Sequence, residues 1–303
     1  MVSWEGGALT ERCVGSLLAQ RTPPDEVIVV DNASGAAERA RLTERWGGHE
    51  RVRVLLLDEN RQFAGGMNAG AAAALGAGAQ RLLFLNNDTV LAPDALGLLG
   101  DALASAPGLG IAGPLVVDLQ HPEHVLSAGE RHVLALLCVP RTLLRYRRAG
   151  ARAPYRVSGV MGCAMLVTRA CFEAVGGFSA EIEVYYEDVD FCLAAAARGF
   201  GAVIEPRAVV HHDGIRGFAA GLTPWAAFLK ARNPWILVRR RGGLASWLGF
   251  VPVYSALVAS SATLYALRGR ADIARALWRG VLAGMRVAAG QPATPVGAPA
   301  RRA

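Results

Sequence analysis

A chain of 303 residues can bury a substantial core as one large or two smaller domains, and its 52% hydrophobic content with mean hydropathy +0.28 is high for a fully soluble enzyme, which keeps bilayer contact open. The net charge of +7 is almost all arginine, because Lys230 is the only lysine; it suits anionic partners such as nucleotides, lipid pyrophosphates or headgroups, while a lone lysine outside any glycine-rich loop excludes a P-loop. Five scattered cysteines (Cys13, Cys138, Cys163, Cys171, Cys192) without a CxxC pair exclude a disulfide framework and a zinc knuckle and fit a reducing cytoplasm.

Val2-Ser3-Trp4 reads as the end of a strand whose beginning is missing, and Met1 to Gly7 lacks the basic start and apolar run of a secretory signal. The helical pattern Leu9, Cys13, Leu17, Leu18 follows at once. Val27 to Val30 is long enough for a buried strand and ends at Asp31. A polar helix from Ala36 to Trp46 leads to a second apolar strand at Val52–Leu57. Asn60 to Gly70 reads as a small-residue loop entering an alanine-rich helix, the kind of backbone that lets N–H groups approach a phosphate. Arg81–Leu85 is the third strand, Pro93 stands near the first turn of a helix to Ala104, and Ile111 to Val117 is a fourth strand. Alternating strands and helices predict an α/β fold in three layers around a mostly parallel sheet.

From Gln120 to Tyr155 the periodicity dissolves into His, Arg and Pro, which reads as an insertion or an acceptor-side excursion. Its arginines (Arg141, Arg145, Arg147, Arg148, Arg152, Arg156) suit a polyprenyl pyrophosphate or an anionic lipid, although charge runs more often form a solvated face. Order returns with a strand at Met161–Val167, a short helix and the turn Gly176-Gly177-Phe178. Then Glu187, Asp188 and Asp190 crowd the opening of an apolar helical pattern. At 100° per residue Glu187 and Asp190 lie near one another, and Asp188 swings toward the face of Cys192 and Ala195. Such a cluster can be simple capping plus a salt bridge to an arginine. Val209–Val210 ends in His211-His212, of which one histidine can face a site and the other must face away. Trp247 to Leu267 holds no charged residue, so 21 helical residues would span about 30 Å. Arg239–Arg241 and Arg268, Arg270 flank it on both sides and give no orientation. It reads as a span, a re-entrant or interfacial helix, or a helix buried on the catalytic domain. Ala271 to Ala288 is amphipathic, with Arg275, Arg279 and Arg286 against Ile273, Leu277 and Leu282, and the Pro/Ala tail reads as disordered. The division expected is residues 1–222, 223–290 and a tail from 291 to 303.

The ordered set Asp31-Asn32-Ala33-Ser34, Asn60…Phe63-Ala64-Gly65-Gly66…Asn68…Gly70, Asn86-Asn87-Asp88, Gly162-Cys163-Ala164-Met165, Gly176-Gly177-Phe178, Glu187-Asp188-Val189-Asp190 and His211-His212 resembles the family 2 glycosyltransferases, in particular the bacterial rhamnosyltransferase-like branch that builds cell-wall and surface polysaccharides. The likeness covers Met1 to about Gly217. It implies a GT-A fold, a nucleotide-sugar donor, a divalent metal (Mg²⁺ or Mn²⁺) and inversion at the anomeric carbon. Two departures stand out: Gln62 occupies a position that is usually Gly, and the metal motif carries one acid, Asp88.

By that resemblance Asp31, Asn32, Ser34, Asn60, Phe63, Gly65, Gly66, Asn68, Asn86 and Asn87 serve the donor, Asp31 toward the base and Gly65, Gly66 and Asn68 along the diphosphate. Asp31 reads equally as an Asx-turn, and Asp88-Thr89 as the start of a turn. Asp88 is the expected metal ligand, a hard oxygen for a hard cation, with His211 favoured over His212 beside it. Asp188 is the expected base, Glu187 orients the acceptor, and Asp190, Gly162 and Cys163 lie on the acceptor side. The partners are a nucleotide-sugar donor, a glycan or polyprenyl-linked acceptor and the cytoplasmic face of the plasma membrane, with no nucleic acid. Two rivals remain: a dehydrogenase or nucleotidyltransferase, disfavoured because no GxGxxG follows the first strand, and a membrane scaffold that kept the fold and lost the chemistry.

Overall fold

The computed structural model describes residues 1–131, 152–213 and 222–292. Strands β1 (Val2–Ser3), β2 (Val27–Asp31) and β3 (Val52–Leu56) form a small parallel sheet in the order β1-β2-β3. A larger sheet follows the order β4-β9-β6-β10-β5, from β4 (Arg81–Leu85), β5 (Thr89–Leu91), β6 (Leu109–Asp118), β9 (Ala164–Thr168) and β10 (Gly201–His212); β7 (Val125–Ser127) pairs with β6 and β8 (Tyr155–Val157) with β10. A bridge between Val2 and Asn86 joins the two sheets, so that β1 and β4 are neighbours.

The larger sheet is mixed. β6 and β10 run parallel, whereas β4 with β9, β9 with β6 and β10 with β5 are antiparallel. The local pattern of apolar runs has no direction in it, so the parallel expectation holds for the first sheet and only partly for the second. β10 is far longer than Val209–His212. Its ladder to β6 shifts register between Glu205 and Val209, where Pro206 cannot donate and the Arg207 guanidinium and N–H are gripped by the Glu205 carboxylate.

Helices cover both faces. On one side Val14 and Leu17 of α1 (Gly7–Leu18), Leu42 and Trp46 of α2 (Ala36–Trp46), and Leu99 and Leu103 of α4 (Ala95–Ala104) pack with Val29, Leu85 and Val210. On the other, Met67 and Ala71 of α3 (Gln62–Gly76), Phe172 of α5 (Arg169–Val175) and Phe191 of α6 (Glu187–Ala197) pack with Leu82, Phe84 and Ile204. The alternation of Leu82 and Phe84 with Leu85 across β4 is the period of two that sends side chains to opposite faces of a strand. Three layers result.

The stretch expected to be a small-residue loop is helical from Gln62. Its glycines serve packing: a Cβ on Gly66 would stand 2.7 Å from Val2 Cγ2, and one on Gly70 would stand 2.9 Å from Val30 Cγ2. Both let α3 lie close on β1 and β2. Gln62 itself has φ +55°, so the position where the family usually has Gly does require the left-handed conformation, at a cost of about 1 kcal/mol for an L side chain.

Three further helices follow: α7 (Pro224–Arg241), α8 (Leu244–Leu267) and α9 (Ala271–Ala288). Phe250, Tyr254, Val258 and Ala262, one every fourth residue of α8, are buried against α7 and α9. Gly280 and Gly284 bring α9 onto α7; a Cβ at Gly280 would lie 2.3 Å from the Phe228 carbonyl oxygen, and one at Gly284 2.8 Å from that of Arg232. Within α9, Ile273 and Leu277 are buried as the amphipathic pattern predicts, while Leu282 faces outward at 56% exposure beside the arginines. The expectations for Arg141 to Arg148 and for the tail from 293 lie outside the described residues.

Candidate active site

Asp88 is placed by two strand ends. The β4–β9 ladder stops at the pair Leu85 and Ala164 and is prolonged by the Asn86 N–H, which donates to the Cys163 carbonyl at 2.9 Å. The β5–β10 ladder begins at Thr89 opposite His212, and one step beyond it the Asp213 N–H donates to the Asp88 carbonyl at 3.0 Å. Thr89 Oγ1 closes the turn by donating to the Asn86 carbonyl at 2.7 Å. The Asp88 carboxylate thus sits between the start of β9 and the end of β10, with Oδ1 3.2 Å from His212 Nε2. Asn86 Nδ2 lies 3.5 Å from the same nitrogen, and buried Asn86 Oδ1 has no hydrogen-bond partner among the described residues.

This corrects the choice of histidine. His212 is the one beside Asp88, while His211, opposite Val90 and Val117 in the ladders, projects from the other face of the pleat. The irregularity at Pro206 resets the alternation along β10, so parity could not be counted from the start of the strand.

Asp188 bonds the residue next to Cys163. Its Oδ2 accepts from the Gly162 N–H at 2.7 Å and its Oδ1 from the Val189 N–H at 2.8 Å. Gly162 favours that approach, because a Cβ there would stand 3.0 Å from Asp188 Cβ and press the carboxylate back by a few tenths of an ångström. Asn86, Cys163, Gly162 and Asp188 therefore form one continuous line of contacts, which ends at Asp188 on one side and two residues before Asp88 on the other. The electrostatics agree: burial pushes the Cys163 thiol far up, and the next causes are the charges of Asp88 and then Asp188. Such a thiol stays protonated and adds no nucleophile. Next to Asp188, Glu187 is buried and its carboxyl is raised well above the ordinary value, first by burial and then by the Asp188 charge.

The acids owe their position to backbone that only tertiary contacts hold in place. Tyr185 (φ +63°) and Tyr186 (φ +72°) are both left-handed immediately before α6. Asn233, fully buried in α7, donates its two amide hydrogens to the Val184 and Tyr185 carbonyls at 2.7 and 3.0 Å. Arg232, 1% exposed, pairs with Glu183 at 2.8 Å and donates toward the Glu181 carbonyl. Neither residue was singled out from sequence; a charged and an amide residue side by side in an apolar helix was the available signal.

Asp190, expected on the acceptor side, is held by α7. Both of its oxygens are taken by the guanidinium groups of Arg240 and Arg241, Arg241 at 2.7 and 3.0 Å, so the arginines read as a membrane flank join α7 to α6 instead. For this acid the salt-bridge part of the capping-plus-salt-bridge reading holds.

On the donor side, Asp31 ends β2 fully buried. Its Oδ2 accepts from Ser34 N–H at 3.2 Å and from Arg39 Nε at 3.0 Å, as an Asx-turn would have it, whereas Oδ1 is buried with no partner among the described residues. Arg39 also bonds the Leu57 carbonyl. Ser34 Oγ accepts from the Glu5 N–H. Asn32 bonds Asn60 Oδ1 and the Gln62 carbonyl and accepts from the Arg61 N–H, which fixes the turn into α3. Asn68 faces elsewhere: its amide exchanges two bonds of 2.9 Å with the backbone of Phe178, tying α3 to the Gly-Gly-Phe turn. Gly65 and Gly66, inside α3, do not form the expected phosphate loop; Asn87 donates to Thr10 Oγ1 under α1, and Phe63 packs on the second core.

A family model described as "Glycosyl transferase family 2" matches residues 3–176. An uncharacterised protein of Sinorhizobium fredii is 32% identical over 199 residues, which are 62% of this chain and 21% of that protein, so this chain spans only a fifth of its length. An N-acetylglucosaminyl-diphospho-decaprenol L-rhamnosyltransferase of Mycobacterium tuberculosis is 28% identical over 233 residues, 70% of this chain and 74% of its own. Among solved structures, the mannosyltransferase PcManGT from Pyrobaculum calidifontis in complex with GDP-Man and Mn²⁺ superposes with TM-score 0.57 at 18% identity, covering 94% of this chain and 85% of that one, which establishes the shared fold. With more than half its length matched by that model, the chain belongs to glycosyl transferase family 2.

Proposed function

We propose that this enzyme moves a sugar, rhamnose or a similar hexose, from a nucleotide-diphosphate donor to a glycan acceptor carried on a lipid at the cytoplasmic face of the membrane, in cell-wall or surface polysaccharide synthesis, with inversion at the anomeric carbon. The observation that carries this reading is the convergence of Asp88 and Asp188 on Cys163. An acid that takes a proton and a site that holds a leaving diphosphate must flank the same sugar in a single displacement. The mycobacterial relative's name, a rhamnosyltransferase acting on a diphospho-decaprenol, supports the sugar and the lipid.

The residues fit a divalent ion. Asp88 supplies a hard carboxylate oxygen, His212 a nitrogen beside it, and Asn86 Oδ1 is a buried acceptor that lacks a donor. Asp88, His212 and Asn86 would hold Mg²⁺ or Mn²⁺, which would supply charge neutralisation for the leaving nucleoside diphosphate. Asp31 Oδ1 is the acceptor available to a base N–H. Asp188, oriented by Gly162 and Val189, takes the proton of the attacking hydroxyl while the bond from the anomeric carbon to the diphosphate oxygen breaks, its electron pair leaving with the nucleotide. Glu187, whose carboxyl burial and the Asp188 charge raise well above the ordinary value, keeps its proton to higher pH than a free glutamate and in that form can donate a hydrogen bond to the acceptor.

A thermal-shift screen of nucleoside diphosphates with Mn²⁺ identifies the donor class, and Asp188→Asn then discriminates the roles. It is expected to keep the Mn²⁺-dependent shift and to lose transfer. Full transfer by that variant would assign the base elsewhere, and no shift with any nucleotide would favour the scaffold.

A further inference from the structure

α8 is long and apolar enough to cross a bilayer, but its packing fixes a different orientation. One side of the helix is committed. Tyr254 OH donates to the Lys230 and Ala231 carbonyls at 2.9 and 3.2 Å, and Trp235 of α7 meets the rings of Trp247, Phe250 and Tyr254. α7 is in turn fastened to the acid helix through Asn233 and through Arg240 and Arg241. Threading α8 through about 30 Å of hydrocarbon would either strip these contacts or draw in α9 with Arg275, Arg279 and Arg286, and charged residues at bilayer depth are costly.

The remaining surface has its own pattern. On α8 the outward side shows Leu244, Leu248, Val251, Leu257, Leu264 and Leu267 without a single charge between residues 244 and 267. On α9, Trp278, Leu282 and Met285 are about half exposed and follow one another at helical spacing. At 100° per residue they occupy a strip bordered directly by exposed Arg275, Arg279 and Arg286. Both outward sides turn away from α7. An apolar strip with Trp and Leu lined by arginines is what a helix needs to lie in the headgroup region, its rings at the acyl boundary and its guanidinium groups on phosphates.

We infer that the outer faces of α8 and α9 dock flat on an anionic phospholipid bilayer, with α8 lying in the plane of the membrane and crossing nothing. Phosphate-bearing lipid is the occupant because the apolar strip is edged by positive charge and not by a mixed rim such as a protein partner presents. This deepens the membrane placement proposed above, and it stands independently of the donor and acceptor chemistry.

The test is flotation of the full chain with vesicles of phosphatidylcholine alone or mixed with phosphatidylglycerol. Binding is expected with the anionic vesicles, falling steeply with salt, and alkaline carbonate is expected to release protein expressed in cells from its membranes. Arg275→Gln with Arg279→Gln should weaken binding about fivefold per charge removed, and Trp278→Ser with Leu282→Ser should abolish it. Each variant is to keep the nucleotide-dependent thermal shift of the parent, which separates failure of this inference from failure of the enzymatic reading. Resistance to carbonate would overturn it in favour of a span. Equal binding to neutral vesicles, or no vesicle binding together with a concentration-dependent dimer, would overturn it as well.

Discussion

Asn233→Leu replaces a buried amide by an apolar side chain of similar volume and so removes the clamp on the acid loop without opening a large cavity. Three hydrogen bonds are lost: the Val184 and Tyr185 carbonyls are left without the Asn233 amide hydrogens, and Arg232 Nε is left without Asn233 Oδ1 as acceptor. At about 1–3 kcal/mol for each unsatisfied buried group the deficit would reach about 3–9 kcal/mol. Relaxation of Tyr185 and Tyr186 out of the left-handed region returns about 1–2 kcal/mol for each residue that moves, so a net loss of about 3 kcal/mol is expected, equivalent to roughly 5 °C in melting temperature for a chain of this size. The same relaxation displaces Glu187 and Asp188, which follow directly on the released turn. Calorimetry, the nucleotide shift with Mn²⁺ and turnover of the donor so identified are the three readouts. The expected pattern is a lower melting temperature, an intact shift, because Asp31 and Asp88 lie on other elements, and turnover reduced in kcat with KM for the donor unchanged. A variant as stable and as active as the parent would show that the turn holds its shape without α7.

Two further outcomes test the site itself. His212→Ala should weaken the Mn²⁺-dependent part of nucleotide binding while His211→Ala leaves it unchanged, read as the difference in thermal shift with and without chelator; the reverse result would restore His211. Glu187 carries a carboxyl raised by burial and by Asp188, so the unfolded chain gives up its proton first. Its contribution to stability is complete below the ordinary glutamate value of 4.5 and is lost as pH climbs through the raised folded value. Glu187→Gln removes that loss, and its advantage over the parent in urea midpoint should grow from acid to neutral pH; a constant difference would mean that Glu187 ionises normally.

The elements that sequence revealed are those whose evidence is local. Ala36–Trp46 and Arg81–Leu85 come out with the expected bounds, because periodicity and flanking polar residues mark them. Asp31, Asp88 and Asp188 stand out in the sequence as candidate site residues because each lies at or just beyond a strand end or in the first turn of a helix. What was illegible depended on contacts distant in the chain. Asn68 looks like a phosphate ligand until Phe178, 110 residues away, takes both ends of its amide. Asp190 looks like the equal of Asp188 until two arginines some 50 residues on neutralise it. The order of β5, β9 and β10 in the sheet, which brings Asp88 to His212 and Cys163, is encoded in pairings that short apolar runs do not specify.

Helix α7 links these observations. Its Asn233 and Arg232 hold the turn before Asp188, its Arg240 and Arg241 bind Asp190 on the same helix as the proposed base, and its Trp235 receives α8. A buried ion pair is a poor source of net stability, since desolvation offsets much of the attraction, but breaking one leaves a buried charge and is costly. The pairs on Asp190 therefore fix geometry more than they add free energy. The acid helix and the helices carrying the arginine-edged apolar strip move as one body through α7, so any surface that captures α8 and α9 also sets the height and tilt of Asp188 above it. A lipid-borne acceptor hydroxyl would then meet its base at a distance defined by the packing of α7 and not by a flexible tether.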